Sequence, residues 1–291
     1  MFESIKSSLK TNEAPQKFRD ILKFETGKTY SLRLLPDIKN PAKSIFHYYN
    51  HAWESFSTGQ FLSVVSPSTW GERDPISEAR FSILKHGSDE EKEKAQKITR
   101  RENWLVNVYV IDDPSNPENN GKVKIMRYGR QIHKIVMDAM EGEDAEVFGA
   151  RIFDLSKEGV TFKVKCERQG DFPTYVSSKF GPAPSKVPGL EDDDAMKDIY
   201  NNIHDLETVF TVKSYDELKE TLDEHYHGKI AGEDSEEEDD VSYEPVDVKP
   251  VSEKAPEGKK EPESKKNTKT EAKSDPLNDA KVQELLEGLN S

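Results

Sequence analysis

The sequence predicts a mainly β protein with helical insertions, namely an OB-fold-type barrel or curled sheet followed by a disordered acidic C-terminal tail. At least five short segments alternate apolar and polar residues, which is typical of strands in a small antiparallel barrel. Two of them are joined by a loop rich in Pro, Asn and Gly, the pattern of a long hairpin. Beyond Gly232 large apolar residues become few. We therefore expect an N-terminal arm over residues 1–20, a binding core over 21–230 and a tail over 231–291.

Alternation also defines the individual strands. Tyr30, Leu32 and Leu34 alternate with polar residues, and the run stops at Pro36, which lacks the N–H group that a sheet requires. The same reasoning predicts strands over residues 28–35, 61–65, 104–111, 123–128, 147–154 and 160–167.

Spacing and capping indicate three helices. Apolar residues recur at helical spacing over 132–140. Ser214 and Glu217 have the spacing of a capping box, which predicts a helix over about 214–225. The charged run 89–94 places opposite charges one turn apart, so a solvated helix is expected there.

The stretch over residues 100–134, which contains the hairpin, carries most of the functional signal. A strand surface with positive charge and aromatic rings suits a single-stranded nucleic acid, because phosphates bind cations and unstacked bases stack on rings. Such side chains are interspersed on the hairpin and beside it: Arg100, Arg101, Trp104, Lys122, Lys124, Arg127, Tyr128 and Arg130. The hairpin therefore predicts a surface that binds single-stranded nucleic acid.

Charge is distributed very unevenly along the chain. The whole chain has 42 Lys and Arg against 56 Asp and Glu, a net charge of −14. Residues 1–190 hold 29 cations and 26 anions, a net charge of +3, whereas residues 191–291 hold 13 and 30, a net charge of −17. The pattern indicates a mildly basic body with an acidic extension.

Cysteine content and hydropathy exclude several classes of protein. The single cysteine, Cys166, excludes an internal disulfide framework and a multi-cysteine metal site, and it suits a reducing cytoplasm. There is no run of 18 apolar residues and no apolar signal region at the N-terminus. We therefore expect a soluble intracellular protein that does not contact a membrane.

No pattern predicts catalysis, a cofactor or a metal site. Asp112 and Asp113 open a turn, where aspartate side chains bond to the backbone. The acidic run 192–194 leads into a helix, whose dipole favours carboxylates. Nuclease carboxylates are the alternative interpretation of both groups, and the histidines show no known ligand spacing.

The tail is expected to be an interaction segment. It opens with an acidic block over 233–240 and is too poor in apolar residues to offset the entropy cost of folding. Five apolar residues near the end have the spacing of one face of a short helix that docks into partner grooves: Leu277, Val282, Leu285, Leu286 and Leu289. The alternative interpretation is that this spacing arose by chance in an unstructured tail.

Several motifs, taken together, match the pattern of one family. They are the loop Asp113-Pro114-x-x-Pro117-Glu118-Asn119-x-Gly121-Lys122-Val123, the following Arg127-Tyr128-Gly129, the aromatic segment Phe172-x-x-Tyr175-x-x-Ser178-Lys179-Phe180, and Ser214-Tyr215-Asp216-Glu217-Leu218. Trp104 stands where the family has a tryptophan opening the same strand. In these motifs, over most of residues 25–225, the chain resembles the single-stranded-DNA-binding (helix-destabilising) proteins of T-even-like bacteriophages.

The resemblance implies an OB-fold core with a cleft for a few nucleotides, sequence-indifferent binding and cooperative self-association along the DNA. It also implies an acidic tail that recruits replication and recombination proteins, such as a polymerase, a helicase loader and a recombinase, in the cytoplasm of the infected bacterial host. As a tethered polyanion, the tail is expected to compete with DNA. The DNA contacts implied are Phe61, Arg100, Trp104, Arg127, Tyr128, Phe172, Tyr175 and Lys179.

Zinc is the first departure from that family. Its best-known member has a zinc subdomain with one His and three Cys ligands. Here His51 stands at the place of the histidine, but the cysteine positions read Val64, Asp74 and Ser77. Valine cannot bind zinc, so we predict no structural zinc and a 66–99 region that is held by packing or is looser.

Two further departures concern DNA contacts and self-association. Arg73 replaces an aromatic contact of the family, and Trp70 nearby is expected to compensate, so both are candidate DNA contacts. In the N-terminal arm the family's basic cluster followed by Ser or Thr is reduced to Lys6-Ser7-Ser8, the candidate self-association residues. Cooperativity is therefore expected to be weaker or differently encoded.

The sequence thus predicts a non-enzymatic, sequence-independent single-stranded-DNA-binding protein of a tailed phage. It would coat DNA during replication, recombination and repair. The alternatives are an RNA-binding module or an acidic-tailed chaperone or scaffold protein and, among enzymes, a nuclease.

Overall fold

The computed structural model describes residues 20–142, 144–190 and 192–229. The strands are β1 (Lys28–Leu35), β2 (Ile45–Glu54), β3 (Phe61–Val65), β4 (Arg100–Asp112), β5 (Val123–Tyr128), β6 (Phe162–Gln169), β7 (Phe172–Thr174) and β8 (Lys179–Phe180). The helices are α1 (Pro75–His86), α2 (Asp89–Gln96), α3 (Arg130–Glu141), α4 (Asp193–Asn201) and α5 (Tyr215–Leu222), the last continued by a π turn over Asp223–His227. Short 3-10 turns occupy Pro67–Trp70, Gly149–Phe153 and Leu206–Thr208, among others.

Strand β4 organises the sheet. Along one edge it pairs first with β2 and then with β1, and along the other edge it pairs with β5, always antiparallel. The strand order is β3-β2-β4-β1-β6-β7, with β5 on β4 and β8 on β6. Because β1 and β2 share one edge of a 13-residue strand, the sheet curls into an antiparallel half-barrel. The predicted mainly β fold with helical insertions is confirmed.

Two apolar clusters lie on the same face of the curled sheet. The main core packs strands β1, β4, β5 and β6 against α3, with Leu32, Val106 and Val136 among its buried residues. The second cluster joins β2 and β3 to a helical layer, which we define as α1 and α5, through Trp53 and Leu218. The sheet surface between these two clusters forms the candidate site described below.

Caps fix where the helices begin. Ser214 and Glu217 form the capping box expected from the sequence, and Ser88 opens α2 with another. Asp74 caps α1 by accepting from the N–H groups of Ile76 and Ser77. The helices predicted near 89–94, 132–140 and 214–225 are confirmed as α2, α3, and α5 with its π turn.

The main differences from the predicted strands are at 147–154 and at β2, and the short strands β7 and β8 were not predicted either. Residues 147–154 contain a 3-10 turn, Gly149–Phe153, whose buried Ile152 faces the main core, so the prediction of a strand there is wrong. Strand β2, Ile45–Glu54, was not predicted. Both of its faces carry mixtures of aromatic and polar side chains, so the alternation that reveals a half-buried strand is absent.

Some predictions concern residues that the structure does not describe. The self-association residues Lys6, Ser7 and Ser8, the tail over 231–291 and its docking residues Leu277, Val282, Leu285, Leu286 and Leu289 lie outside the described residues. Within the described part of the chain, no helix has the length and apolar character needed to cross a membrane.

Candidate nucleic-acid interface

The predicted contacts on β4 and β5 are divided between two faces of the sheet. Successive residues of a strand point to opposite faces, so Arg100 and Arg101 separate. Trp104 pairs with Tyr128 on the face of Arg100, whereas Leu105 pairs with Arg127 on the face of Arg101. The residues that the sequence singled out therefore do not all lie on one continuous surface.

On the face of Arg100, an open band runs between the main core and the helical layer. We define the central band as Arg100, Tyr49, His47, Glu102 and Arg130. The guanidinium carbon of Arg100 lies 4.1 Å from the centroid of the Tyr49 ring, and the His47 ring meets the same tyrosine edge-on at 4.8 Å. Arg100, His47 and Arg130 are exposed, so the band presents cations beside an aromatic surface.

Trp104 and Tyr128 lie beneath the central band. Trp104 is 7% exposed and Tyr128 4% exposed, and both belong to the main core. The imidazole of His133 lies parallel to the Trp104 ring with 3.8 Å between centroids, while His47 lies 5.1 Å away. Both rings are therefore largely covered by their neighbours, and direct stacking of bases on them stays a prediction.

Burial also governs the ionisation of the groups beneath the band. Desolvation raises the pKa of the Tyr128 phenol, whose hydroxyl is buried without a hydrogen-bond partner. It lowers the pKa of His133, an effect that the Glu102 carboxylate partly opposes. Burial thus favours the neutral form of the His133 ring, which packs on Trp104 and was not predicted from the sequence.

The opposite face carries a second aromatic row. Phe61 is 67% exposed on β3, and the Trp70 ring lies 6.2 Å from Phe46. Arg127 is exposed beside Tyr48, where burial raises the pKa of the phenol to about 12 and Arg127 opposes that rise. Arg101, exposed on the same face, completes this set of predicted residues.

The hairpin of β6 and β7 reaches the start of α3. Phe172 is 76% exposed near its tip. The N–H group of Tyr175 donates to Oε1 of Gln131 at 2.8 Å, which fixes the hairpin beside the second residue of the helix. Tyr175 itself is half-buried, whereas Lys179 is exposed opposite Lys163 on β6.

Three predicted cations already have carboxylate partners. Nζ of Lys124 lies 2.8 Å from Oδ1 of Asp20 in a largely buried pair. Nε of Arg73 lies 2.8 Å from Oε1 of Glu78, and Nε of Arg130 lies 3.0 Å from Oε2 of Glu102. Each carboxylate therefore competes with a phosphate for the donors of its cation. Lys122, in contrast, is exposed just before β5 and has no carboxylate partner among the ion pairs of the described residues.

The residues at the family's zinc positions do not fit zinc. Val64 packs against the cluster under the helical layer. The buried His51 faces the Ile98 carbonyl through Nδ1 at 2.7 Å and the Asp74 carboxylate through Nε2 at 2.8 Å. Ser77 donates to the same Asp74 oxygen at 2.9 Å. Among the described residues, no group of three or more His, Cys, Asp or Glu is arranged to hold a metal ion.

Hydrogen bonds therefore occupy the place of metal ligands in this region. Burial alone would raise the pKa of Asp74, but the hydrogen bond and charge of His51 and the hydroxyl groups of Ser66 and Ser77 lower it to about 2. The carboxylate also caps α1, so the same group joins β2 to the helical layer. The 66–99 region is held by a polar network in addition to packing.

Three residues of the central band were not predicted from the sequence. Tyr49 and His47 lie on β2, a strand that was not predicted, and Glu102 is an anion beside Arg100 and Arg101. The signal that could have revealed β2 is the aromatic content of 45–54, which favours a strand even without alternation.

Comparison with known proteins identifies a matching family and similar curated proteins. The family described as gp32 DNA binding protein like matches residues 25–226. The chain is 26% identical over 192 residues to the single-stranded DNA-binding protein of Enterobacteria phage T4, and 26% identical over 192 residues to that of Enterobacteria phage T2. The aligned region spans 64% of this chain and 62% of the length of each relative.

Proposed function

The chain belongs to the gp32-like family of DNA-binding proteins, and from this premise we propose that it binds single-stranded DNA without sequence preference. Its curated relatives in phages T4 and T2 carry the name single-stranded DNA-binding protein. We further propose an OB-fold-type core and a role in coating phage DNA during replication, recombination and repair in the infected cell.

The central band carries this proposal. Arg100 lies over the Tyr49 ring, so a phosphate bound by the guanidinium would place a base near aromatic surface. Trp104 and His133 support the band from below and keep its rings in place. In this proposal Trp104 acts mainly by positioning His47, and Tyr128 by packing beneath it.

Residues outside the band extend the proposed path of the DNA. Phe172 offers an exposed ring beside one end of β6, and Lys179 offers an exposed phosphate contact opposite Lys163 toward the other end of that strand. On the opposite face, Phe61, Trp70, Arg101 and Arg127 form a second surface of the same chemistry. A single-stranded DNA that follows both surfaces has to cross an edge of the sheet, which the flexible backbone of the DNA permits.

The proposed role is non-enzymatic. The family and the relatives above are DNA-binding proteins, and none of them indicates an enzyme. Asp113 accepts hydrogen bonds from Ser115 and Asn116, and Asp192 caps α4. The two acidic groups thus have turn and cap roles.

The terminal regions remain part of the proposal. We infer from sequence alone that the arm over 1–20 promotes self-association along DNA and that the tail over 231–291 recruits replication and recombination proteins. The tail's charge also supports competition with DNA for the cations of the core.

A fluorescence anisotropy titration tests the proposed function. Labelled oligo(dT), oligo(rU) and duplex DNA would be titrated with the full chain at several salt concentrations. We expect tight binding to oligo(dT) only and, with roughly 4–6 phosphates neutralised, a slope of log K against log salt of about −3 to −4. Equal or tighter binding to oligo(rU) would favour an RNA-binding module instead, and no binding to any strand would favour a chaperone or scaffold role.

Incubation of the same oligo(dT) with the protein and Mg²⁺ separates binding from nuclease activity. We expect the oligonucleotide to remain full length on a denaturing gel. Shortened products that disappear when Asp112 and Asp113 are replaced by Asn would contradict the non-enzymatic role.

A further inference from the structure

A single carboxylate lies at the centre of the positively charged band. Glu102 is on β4 between Arg100 and Trp104, on the same face as both. Its Oε1 lies 2.9 Å from Nε2 of His47, and its Oε2 lies 3.0 Å from Nε of Arg130. Both oxygens are thus engaged by groups that the proposed function assigns to the DNA surface.

Three separate elements meet at this carboxylate. His47 comes from β2, Glu102 from β4 and Arg130 from the first turn of α3. His133, one turn further along α3, and Arg100, two residues back on β4, are the other titratable or cationic groups that face the band. Glu102 is the carboxylate that contacts both His47 and Arg130 among the residues that the structure describes.

The position of Glu102 has no evident packing function. Its side chain is 24% exposed, whereas that of Arg130 is 70% exposed and that of His47 is 40% exposed. Exposed ion pairs of this kind contribute little to stability. A carboxylate and a phosphate, however, offer a guanidinium the same kind of anionic oxygen acceptor.

We propose that Glu102 is an intramolecular competitor of the DNA phosphate. In the free protein it occupies the Nε donor of Arg130 and repels incoming phosphates, so a phosphate gains the whole guanidinium only when it displaces the carboxylate. Glu102 therefore lowers affinity for single-stranded DNA and sets how easily the protein is released. The inference rests on the proposed function, because it assumes that the central band contacts DNA.

The test compares Glu102→Gln with the full-length wild-type chain in oligo(dT) titrations over a range of salt. The amide keeps the shape of the side chain but removes the charge. We expect affinity to rise about fivefold or more at low salt and the slope of log K against log salt to steepen, because the variant lacks the carboxylate that repels phosphates and because salt screens that repulsion. Asp194→Asn is the matched control.

The control removes one negative charge from an exposed ion pair with Lys197 on α4. That helix packs with the cluster around Tyr109, seven residues beyond Glu102 on β4. We expect Asp194→Asn to bind as the wild type does. An equal gain in both variants would show that only net charge matters and would overturn the proposal.

A double-variant cycle separates competition from simple repulsion. In the Arg130→Gln background there is no guanidinium to release, so the gain from Glu102→Gln should shrink at least threefold. A gain of the same size in both backgrounds would refute competition for Arg130, and wild-type affinity in Glu102→Gln would refute the proposal altogether. Thermal melts of each variant confirm that folded protein is compared. If Glu102→Gln melts at a lower temperature than the wild type, the cycle with Arg130→Gln can be repeated with Glu102→Ser.

The outcomes also separate this inference from the proposed function. If the wild-type chain binds no single-stranded DNA, the proposed function fails. If it binds and neither Glu102 variant alters the affinity or the salt slope, the proposed function stands and only the role of Glu102 is wrong.

Discussion

At the residue scale, Asp74 is the centre of a buried polar network that joins β2 to α1. Its carboxylate accepts hydrogen bonds from two backbone N–H groups, two hydroxyl groups and the imidazole of His51. A buried charge is tolerated when it is paired and fully hydrogen-bonded. Removing one partner is therefore expected to be more costly than removing an exposed ion pair.

Replacing Asp74 by Asn should destabilise the folded chain by about 2–4 kcal/mol, because the charged partner of His51 and the strong cap of α1 are both weakened. Chemical denaturation monitored by circular dichroism measures this change. Asp89→Asn, which removes only an exposed pair with Lys92, should cost less than about 1 kcal/mol. Equal losses in the two variants would contradict the role assigned to the network.

The same carboxylate predicts a dependence of stability on acid. The pKa of Asp74 is lowered from 3.8 to about 2 in the folded chain, so its contribution is present above pH 4 and is lost as the pH falls from about 4 to 2. The contribution is about 2 kcal/mol. Unfolding free energies measured across this pH range should fall in the wild-type chain, and the part of the fall due to Asp74 should be missing in Asp74→Asn.

Arg100 provides the residue-scale test of the central band. Arg100→Gln should weaken oligo(dT) binding tenfold or more, because a charge-assisted contact to phosphate contributes roughly 1.5–3 kcal/mol. The salt slope should become shallower by about 0.7. Lys197→Gln removes one positive charge on α4, so it serves as the control and should leave both quantities nearly unchanged. Loss of affinity without a change in salt slope would argue against a phosphate contact.

At the scale of elements, the β6–β7 hairpin extends the proposed surface beyond the central band. It is fixed to α3 through the bond between the Tyr175 N–H and Gln131, yet it leaves the Phe172 ring in solvent. An exposed ring on a fixed hairpin is a suitable platform for a base, because little conformational entropy remains to be lost on stacking.

Phe172→Ala should therefore weaken oligo(dT) binding by about 1–3 kcal/mol while leaving the salt slope unchanged, since a stacking contact releases no counterions. Anisotropy titrations at two salt concentrations measure both effects. Phe81→Ala removes another exposed phenylalanine, on α1, and should have no effect on binding. Comparable losses in the two variants would point to a general change in the protein rather than to a stacking site.

At the scale of the whole molecule, the charge asymmetry is the dominant property. A core region with net charge +3 over residues 1–190 is joined to 101 residues with net charge −17. A tethered polyanion has a high effective concentration, so it competes with DNA more strongly than the same peptide free in solution.

Deleting residues 233–291 should raise affinity for oligo(dT) at low salt, with the difference fading toward high salt as the charges are screened. Titration of the full-length and shortened chains over a salt series measures the effect. Adding the deleted segment as a separate peptide at equimolar concentration should not reverse the gain. The competition proposal fails if the two chains bind equally at low ionic strength.

The sequence by itself determined the properties that depend on neighbours along the chain. Alternation predicted β1 and most of β4 and β5, capping residues predicted where α5 begins, and the charge counts defined the acidic extension. Tyr49 and His47 were missed because β2 is covered by different partners on each face, so burial along it follows no simple period.

Only the tertiary structure decided which residues meet. Register places Arg100 and Arg101 on opposite faces, the packing of α3 buries Trp104 under His133, and three elements bring His47 and Arg130 to Glu102. The physical reason is how far apart along the chain the interacting residues lie. Alternation, capping and net charge arise from residues close in sequence, whereas burial and ion pairing depend on strand register and helix packing between segments far apart along the chain.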